Sequence, residues 1–244
     1  MVRIHRKIQT DTLRLLVFDL DGTLIDSSKD LCNSVNATLE HFGLRPLPDQ
    51  QIATFIGDGA GMLIRRALLV PGELPAGIHE EDEEFFKQAL EYFLVWYRAH
   101  KLDYTRVYAG VMESLEAIAE AQNRPAMVVL TNKPVGPARA ICEGLGLAKY
   151  FEAICGGDSF ATKKPDPEGL LHLMDRIGAR PETTLMIGDS EVDVKTARNV
   201  GAWSMGCSFG LSPESMREAK PDIEVEHAAQ WVEVLGAQIG VKRG

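Results

Sequence analysis

The stretch Leu15-Leu16-Val17-Phe18-Asp19-Leu20-Asp21-Gly22-Thr23 decides the fold of this 244-residue chain. Four apolar residues in a row that end at an acidic residue are typical of a strand buried on both faces, as in a parallel sheet. Side chains alternate along an extended backbone, so Asp19 and Asp21 are expected to face one crevice while Leu20 turns toward the core. The stretch therefore predicts a buried strand that delivers two carboxylates at its carboxyl end.

Two later segments have the same form, a short apolar run that ends in polar residues. Met127-Val128-Val129-Leu130 leads into Thr131-Asn132, and Leu185-Met186-Ile187 leads into Gly188-Asp189. The stretches between the runs are long enough for crossover helices, such as the helical pattern of residues 111–122. This alternation predicts an α/β fold with a doubly wound parallel sheet, where ligands bind beyond the carboxyl ends of the strands. We expect the three polar clusters to meet there.

The region from residue 28 to residue 103 lacks strand signals and has apolar stripes at helical spacing instead. The first stripe is Leu31, Val35, Leu39 and Phe42, and the second is Phe86, Leu90, Phe93, Leu94 and Tyr97. Loops are expected at Pro46, Pro48, Pro71-Gly72 and Pro75-Ala76-Gly77, and a solvated helix start at the acidic residues 80–84. The pattern predicts a helical domain of residues 28–103, inserted into a core domain of residues 1–27 and 104–244.

The composition limits the partners of the protein. Its 35 acidic and 26 basic side chains give a net charge of −9 at pH 7, which would repel a phosphate backbone and excludes nucleic acid as an expected partner. The longest apolar run near the start is too short to cross a bilayer or to direct secretion, so we expect a cytoplasmic monomer or homodimer without a membrane partner. The four cysteines lack CxxC spacing and are expected to be buried free thiols.

Three carboxylates in one crevice require a positive charge. Asp19, Asp21 and Asp189 are expected there, and each like-charged pair at roughly 4 Å costs about 4 kcal/mol at an effective dielectric constant near 20. A hard divalent cation offsets this repulsion, and magnesium typically takes one or two carboxylates with water and phosphate oxygens. Asp193 is expected nearby if a helix begins within residues 190–192. The sequence therefore predicts a magnesium site at this edge of the sheet.

A phosphate group also needs fixed donors and positive charge. Thr131 supplies a hydroxyl at a strand end, and Lys164 precedes Pro165-Asp166-Pro167, whose prolines stiffen the backbone. Taken alone, such a threonine is usually a cap and such a lysine is usually solvated. In combination with the carboxylates, the two residues predict a site for a phosphate ester.

Four motifs, taken in order, resemble those of the haloacid dehalogenase superfamily. They are Asp19 to Ser27 (DLDGTLIDS), Leu130-Thr131-Asn132-Lys133, Lys164-Pro165-Asp166-Pro167 and Gly188-Asp189-Ser190-Glu191-Val192-Asp193. The insertion after the first motif resembles the helical cap of that superfamily. Within it, Phe55-Ile56-Gly57-Asp58-Gly59-Ala60, followed by Leu63 and Arg66-Ala67-Leu68, is similar to the cap loop of phosphoglycolate phosphatases. The resemblance implies a Rossmann-like core with an inserted cap domain.

The resemblance also implies a mechanism for a magnesium-dependent phosphatase. Asp19 would attack phosphorus and form an aspartyl-phosphate, while Asp21 would protonate the leaving alkoxide and later deprotonate the attacking water. Asp19, the backbone carbonyl of Asp21, and Asp189 would hold Mg²⁺. Asp193 would lie behind these ligands and orient Lys164 or a bound water.

The same resemblance implies how the substrate, a small phosphate ester such as 2-phosphoglycolate, is bound. The implied contacts are Gly22, Thr23, Thr131, Asn132 and Lys164, with Thr131 and Lys164 on the transferring oxygens. Arg66, with Arg65 beside it, is a candidate cation for a substrate carboxylate, although a surface arginine on a helix is an equal alternative. The cap would close over the crevice and exclude water.

Three other functions are weighed against this hypothesis. A haloacid dehalogenase also uses an aspartate nucleophile but has no need of Asp21 and Asp189. A sugar phosphomutase like β-phosphoglucomutase would share every core residue and differ in the cap. A phospho-acceptor signalling domain also has an acidic pocket, a threonine and a lysine on a doubly wound sheet, but its usual form has no cap of this size.

Overall fold

A computed structural model describes residues 1–8, 13–70, 79 and 82–239 of the chain. It divides into two compact units, a core unit formed by Met1–Asp26 and Val107–Gly244 and an insert unit formed by Ser27–Arg106. The predicted loops at Pro71-Gly72 and Pro75-Ala76-Gly77 lie outside the described residues, as do the first two acidic residues of the run 80–84.

A seven-stranded sheet forms the centre of the core unit. The strands of the chain are β1 (Arg3–Ile4), β2 (Leu15–Phe18), β3 (Ile25–Asp26), β4 (Arg106–Val107), β5 (Ala126–Leu130), β6 (Ala153–Cys155), β7 (Thr184–Gly188), β8 (Trp203–Cys207) and β9 (Ile223–Val225). The sheet order is β1-β9-β8-β7-β2-β5-β6, and β3 and β4 form a separate two-stranded sheet. All pairings in the large sheet are parallel except that of β1 with β9. The mostly parallel sheet confirms the predicted fold class.

Helices follow the strands of the core unit in alternation, as crossover connections of parallel strands require. The helices of this unit are α5 (Val111–Ala119), α6 (Val135–Gly144), α7 (Glu168–Ile177), α8 (Glu191–Val200), α9 (Pro213–Glu218) and α10 (Gln230–Ile239), with 3-10 turns at Ala148–Tyr150 and Pro181–Thr183; those of the insert unit are α1 (Ser28–His41), α2 (Asp49–Ala53), α3 (Ala60–Leu69) and α4 (Glu83–His100). Among the described helices, none combines the length and the apolar character needed to cross a membrane.

Strand β2 lies in the middle of the sheet, with both of its faces covered. Leu15 and Val17 on one face pack in a buried cluster that includes Leu170 and Leu173 of α7. On the other face the ring of Phe18 lies against Trp231 of α10, with ring centroids 5.3 Å apart. Burial of each such side chain contributes roughly 1.5 to 3 kcal/mol. This packing fixes the carboxyl end of β2, where the motif residues begin.

The insert unit is helical, and its buried helix faces agree with the two predicted apolar stripes to different degrees. Three members of the first stripe, Leu31, Val35 and Leu39, are buried along α1, whereas Phe42 lies just past the end of the helix and is half-buried. In α4 the buried face is shifted relative to the second stripe: Phe85 and Ala89 join Phe86, Phe93 and Tyr97, while Leu90 and Leu94 are half-buried. The sequence pattern favoured Leu90 and Leu94 because leucine is more hydrophobic than alanine. In the structure the smaller Ala89 is the buried residue.

The start of α4 agrees with the prediction from the acidic run. The Asp82 carboxylate accepts a hydrogen bond of 3.0 Å from the backbone N–H of Phe85, which caps the helix. Glu83 and Glu84 occupy the first turn, where negative charge interacts favourably with the helix dipole. The acidic residues that are described therefore serve the helix end.

A buried carboxylate joins the two ends of the insert unit. Asp30 in α1 accepts hydrogen bonds from the backbone N–H groups of Tyr104 and Thr105 and from the Thr105 hydroxyl, the last at 2.7 Å. Asp30 is 1% exposed, so its charge is satisfied almost entirely by these donors. The chain that leaves the unit is thus held against the helix that begins it.

Two smaller expectations need correction. Helix α5 ends at Ala119 and not at residue 122, because the N–H of Ala121 donates to the carbonyl of Ile118 in a tighter turn and the N–H of Asn123 donates to Ile239 of α10. The four cysteines are free, as predicted, but Cys155 is half-buried because β6 is an edge strand of the sheet.

Candidate active site

The polar residues of three motifs follow the carboxyl ends of β2, β5 and β7, which are adjacent strands in the sheet. Backbone hydrogen bonding continues one residue past the strands: the N–H of Asp19 donates to the carbonyl of Ile187 at 2.9 Å, and that of Thr131 donates to Cys155 at 3.0 Å. The parallel ladder therefore fixes the backbone from which Asp19 and Thr131 project.

Lys164 connects two buried carboxylates at this edge. Its Nζ lies 2.9 Å from Oδ1 of Asp19 and 2.6 Å from Oδ1 of Asp193. Burial lowers the pKa of Lys164, but Asp19 and Asp193 outweigh this effect and hold the pKa above its ordinary value. The ammonium group is therefore charged, and it offsets part of the negative charge of the pocket.

The remaining negative charge in the pocket is not fully compensated by the protein. Burial raises the pKa of Asp19 from 3.8 to about 6, with Lys164 opposing the shift and Asp193 adding to it. Burial, followed by the charges of Asp193 and Asp19, raises the pKa of Asp189 well above its ordinary value. Both carboxyl groups would ionise more readily beside an additional positive charge.

The donor set fits a hard divalent cation. Asp19, Asp189 and Asp193 each offer a carboxylate oxygen, and the three oxygens lie within 4.8 Å of one another. Asp193 is already engaged by Lys164 and by the hydroxyl of Ser190, which donates to its Oδ2 at 2.8 Å. Asp19 and Asp189 are thus the two carboxylates best suited to bind an ion such as Mg²⁺, which prefers oxygen ligands.

Asp193 is held at the first turn of α8. Its Oδ2 accepts from the N–H and the hydroxyl of Ser190, and the Ser190 side chain accepts in turn from the backbone N–H of Asp193, which makes a capping box. A Cβ at Gly188 would lie 2.1 Å from Cγ of Asp193, so the strand end has room for this carboxylate only beside glycine. The geometry suits the predicted role of Asp193 in orienting Lys164.

Asp21 faces a different cation from Asp19. Both of its carboxylate oxygens lie 3.0 Å from Nζ of Lys133, and the side chains of the pair are 12% and 5% exposed. The expectation that Asp21 crowds against Asp19 and Asp189 therefore overlooked this lysine. Lys133 lies two residues beyond Thr131, the same spacing that separates Asp19 from Asp21, and this was the signal available in the sequence.

Gly22 and Thr23 surround Asp189. Gly22 has φ of +85°, and a Cβ there would lie 2.1 Å from Oδ2 of Asp189, so glycine is required on both counts. The hydroxyl of Thr23 donates to Oδ1 of Asp189 at 3.4 Å. These two residues shape the position of Asp189, and their contact with substrate stays a prediction.

The second motif is linked to the third by Asn132. Its side-chain amide donates to the backbone carbonyl of Lys164 at 3.0 Å, which ties the loop carrying the lysine to the end of β5. The Thr131 hydroxyl accepts the N–H of Lys133 at 3.2 Å and is buried. The implied substrate contacts of Thr131 and Asn132 stay predictions.

A loop after β8, residues 208–212, was missed in the sequence. The backbone N–H groups of Leu211 and Ser212 donate to Oδ2 of Asp189 at 2.7 and 3.2 Å. A Cβ on Gly210 would lie 2.3 Å from the Cβ of Asp189 and 2.3 Å from the carbonyl oxygen of Gly22. Gly210 therefore permits the loop to approach Asp189, and the sequence analysis missed this contact because the strand before the loop, β8, was not predicted.

Arg66 lies in α3 of the insert unit. Its guanidinium pairs with the carboxylate of Asp58 and donates to the carbonyl of Phe55. Gly57 and Gly59 have positive φ and lead into the helix, so the turn in front of α3 depends on glycine. Arg65, the residue before Arg66, forms an ion pair with Glu83, with 2.8 Å between the guanidinium nitrogen and the carboxylate oxygen. A role of Arg66 in substrate binding stays a prediction.

The sequence has relatives that match most of its length. A sequence model of the haloacid dehalogenase-like hydrolases matches residues 16–207. The chain is 36% identical over 223 residues to the phosphoglycolate phosphatase of Chromobacterium violaceum, covering 91% of this chain and 96% of that protein. It is 40% identical over 202 residues to the phosphoglycolate phosphatase of Rhodospirillum rubrum, covering 82% of each.

The fold has relatives among solved structures as well. The structure of a predicted phosphoglycolate phosphatase from Haemophilus somnus superimposes with a TM-score of 0.84 and 28% sequence identity, covering 93% of this chain and 99% of that chain. Sequence and fold therefore agree on the same group of relatives.

Proposed function

Because the chain belongs to the haloacid dehalogenase-like hydrolase family and is a phosphatase, we propose that it hydrolyses 2-phosphoglycolate through an aspartyl-phosphate at a magnesium-dependent site. The observation that carries the proposal is the position of Lys164, whose ammonium touches both Asp19 and Asp193 in a buried acidic pocket that includes Asp189. The names of the relatives support the choice of substrate.

In the first step, a carboxylate oxygen of Asp19 attacks the phosphorus atom. A bond forms between that oxygen and phosphorus while the bond from phosphorus to the ester oxygen breaks, and Asp21 gives its proton to the departing alkoxide. Lys164 and the hydroxyl of Thr131 hold the oxygens of the transferring phosphoryl group. Lys164 is held for this task by Asp193 on its other side.

In the second step, Asp21 takes a proton from water, and the water oxygen attacks the phosphorus of the aspartyl-phosphate. The bond between phosphorus and Asp19 breaks, so that inorganic phosphate leaves and the carboxylate of Asp19 is restored. Microscopic reversibility makes the acid of the first step the base of the second. In this proposal the side chain of Asp21 exchanges protons and does not bind the ion, and it lies outside the cluster of Asp19, Asp189 and Asp193.

A magnesium ion, when bound by Asp19, Asp189 and the backbone carbonyl of Asp21, would neutralise the charge that develops on the phosphoryl oxygens. The chain prepares Asp189 for this role through the hydroxyl of Thr23 and the N–H groups of residues 211 and 212. Such contacts behind a ligand fix its orientation and its affinity for metal.

The insert unit, which contains the predicted cap of residues 28–103, serves as the cap in this proposal, and Arg66 is a candidate substrate contact. Closure of a cap excludes water from all but the hydrolytic step. We further propose that the protein acts in the cytoplasm, where a small soluble phosphate ester would be present as its substrate.

A panel of small phosphate esters tests this function. With Mg²⁺ present, we expect the highest kcat/KM for 2-phosphoglycolate, compared with pyrophosphate, glycerol phosphate and sugar phosphates. Activity should disappear in EDTA and return with excess Mg²⁺, and Asp19→Asn should serve as the inactive background control. Activity that survives EDTA, a sugar phosphate that isomerises without release of phosphate, or a stable phosphoprotein without turnover would each contradict the proposal.

A further inference from the structure

Among the residues that the structure describes, Lys133 is a buried cation that the mechanism above does not use. Lys133 follows β5, and its ammonium group lies 3.0 Å from both carboxylate oxygens of Asp21. Its side chain is 5% exposed, so the charge is largely removed from water. A buried ammonium group next to the candidate acid is placed to meet whatever part of the substrate approaches that acid.

The part of the substrate that approaches Asp21 is the leaving group. Proton transfer requires the ester oxygen to come within about 2.6 to 3.2 Å of the Asp21 carboxyl group. Nζ of Lys133 is 3.0 Å from the same carboxyl oxygens, so it lies within about 6 Å of the ester oxygen. The carboxylate carbon of 2-phosphoglycolate is two bonds from that oxygen, so a carboxylate turned toward Lys133 would come within reach of its ammonium group.

Lys164 has a different position and therefore a different task. It contacts Asp19, the proposed nucleophile, whereas Lys133 contacts Asp21, the proposed acid for the leaving group. The core unit thus presents one ammonium group for each end of an anionic ester. Arg66, the cation expected for the carboxylate from the sequence, is already paired with Asp58 in the insert unit.

We propose that Lys133 binds the carboxylate of the leaving group, so that the site selects phosphate esters of short hydroxy acids over uncharged esters of the same size. The inference rests on the proposed function, since Asp21 must act on the leaving oxygen. An ammonium group that is already desolvated gives a strong hydrogen bond to a carboxylate.

The test compares 2-phosphoglycolate with its carboxamide analogue, which has nearly the same shape and no charge on the leaving group. The unaltered protein is expected to prefer the acid over the amide by about 10- to 100-fold in kcat/KM. Lys133→Gln should lower kcat/KM for the acid much more than for the amide and remove most of that preference. Lys149→Gln, which changes an exposed lysine, is the matched control and should leave the preference intact.

Three results would overturn the inference. The first is an unaltered protein that hydrolyses acid and amide equally well, which contradicts selection but leaves the phosphatase function standing. The second is a Lys133→Gln variant in which kcat/KM falls by the same factor for the acid and the amide. That result would assign Lys133 to the positioning of Asp21. The third is an Arg66→Gln variant that loses the preference for the acid over the amide, while the Lys133→Gln variant keeps that preference.

The Lys133→Gln variant also removes the ion pair between Lys133 and Asp21, and a second variant covers failure to fold. Lys133→Arg keeps the charge and changes its reach, and it should reduce the acid-to-amide ratio severalfold. An unchanged ratio in that variant would overturn the inference. Failure of the proposed function is separate, since it appears as absence of hydrolysis of either ester by the unaltered protein.

Discussion

Lys164 lies between two buried carboxylates, and its removal tests what it does. Lys164→Ala should lower kcat about 10²- to 10³-fold, because a charge that stabilises the transferring oxygens is lost. The variant should also lose about 3 to 5 kcal/mol of folding free energy, since Asp19 and Asp193 remain buried without their cation. Steady-state kinetics and urea denaturation measure the two effects.

The neighbouring residue Lys163 gives the matched control for this prediction. It is exposed and one position away along the same loop. Lys163→Ala should change kcat and the free energy of unfolding little, as is usual for a surface substitution. Equal losses of kcat and of unfolding free energy in both variants would show that any substitution in this loop is harmful. The contacts of Lys164 would then not be the cause.

The pKa of Asp19 makes metal binding dependent on pH. A carboxyl pKa raised from 3.8 to about 6 contributes stability that is complete below the ordinary pKa and is lost as the pH rises through about 6. The metal-free protein should therefore lose stability over this range. A cation binds the ionised form, so the rise in Tm caused by Mg²⁺ should be small at pH 5 and larger at pH 8.

Asp189 supplies the control for the pH prediction, because it is the other candidate ligand and its pKa is raised in the same direction. In Asp189→Asn the shift of Tm with Mg²⁺ should be small at both pH values. A shift of the unaltered protein that is the same at pH 5 and pH 8 would contradict the assignment of Asp19 as a ligand with a raised pKa.

Single residues of the site differ in how far the sequence revealed them. Asp19, Asp189 and Lys164 follow a repeated pattern of polar residues after buried strands or before prolines, and their proximity is confirmed by the distances above. The spacing of Lys133 from Thr131 indicated only that Lys133 and Asp21 follow neighbouring strands at the same distance, and their pairing depends on the rotamers of two side chains. Contacts to a backbone N–H, such as that of Leu211, leave no trace in residue type.

At the scale of elements, the loop of residues 208–212 orients Asp189. Gly210→Ala should push the loop away from Asp189, because the added Cβ would overlap backbone and side-chain atoms at 2.3 Å. Loss of the two N–H contacts should weaken Mg²⁺ binding about 10- to 100-fold, the usual effect of removing partners behind a metal ligand. Titration calorimetry with Mg²⁺ measures this change.

A second glycine provides the comparison for Gly210. Gly136 lies in α6 with nothing within 4 Å of a Cβ built on it, and its φ is not positive. Gly136→Ala should leave Mg²⁺ affinity unchanged and stabilise the protein by up to about 1 kcal/mol through helix propensity. If both variants bound Mg²⁺ as the unaltered protein does, the loop would have no part in holding Asp189.

The insert unit depends on the contacts of Asp30 at the start of α1. Asp30→Ala should cost about 2 to 4 kcal/mol, because two backbone N–H groups and the Thr105 hydroxyl lose their acceptor in a buried position. Urea denaturation followed by circular dichroism measures it. Asp49→Ala removes a carboxylate from a half-exposed pair with Lys29 and should cost less than about 1 kcal/mol.

Continuous apolar runs predicted three of the buried strands, whereas β8, although buried along its whole length, was not predicted because Ser204 and Gly206 interrupt its apolar sequence. The ends of strands β2, β5 and β7 lie within one or two residues of the ends of the predicted apolar runs. A central parallel strand is buried on both faces, so its sequence is usually apolar along its whole length. The buried face of α4 was misplaced, since Leu90 and Leu94 are apolar yet half-buried. Strand β1 was not anticipated, because two exposed residues at an edge carry no apolar signal.

At the scale of the whole molecule, the order of strands explains why distant residues share a pocket. Strand β2 lies between β5 and β7, so the residues after all three strands come to one edge although they are far apart in the sequence. The sequence predicted this meeting from the rule that ligands bind at the carboxyl ends of parallel strands. It did not predict the full order of seven strands, which depends on crossovers that leave no local pattern.

The central claim is that Asp19 becomes covalently phosphorylated during turnover. Borohydride reduces an acyl phosphate to an alcohol, so reduction of protein quenched during turnover of 2-phosphoglycolate should convert Asp19 to homoserine, detected by mass spectrometry of the peptide that contains it. The modification should require both substrate and Mg²⁺. An unmodified Asp19 during active turnover, or homoserine at another aspartate, would contradict the claim.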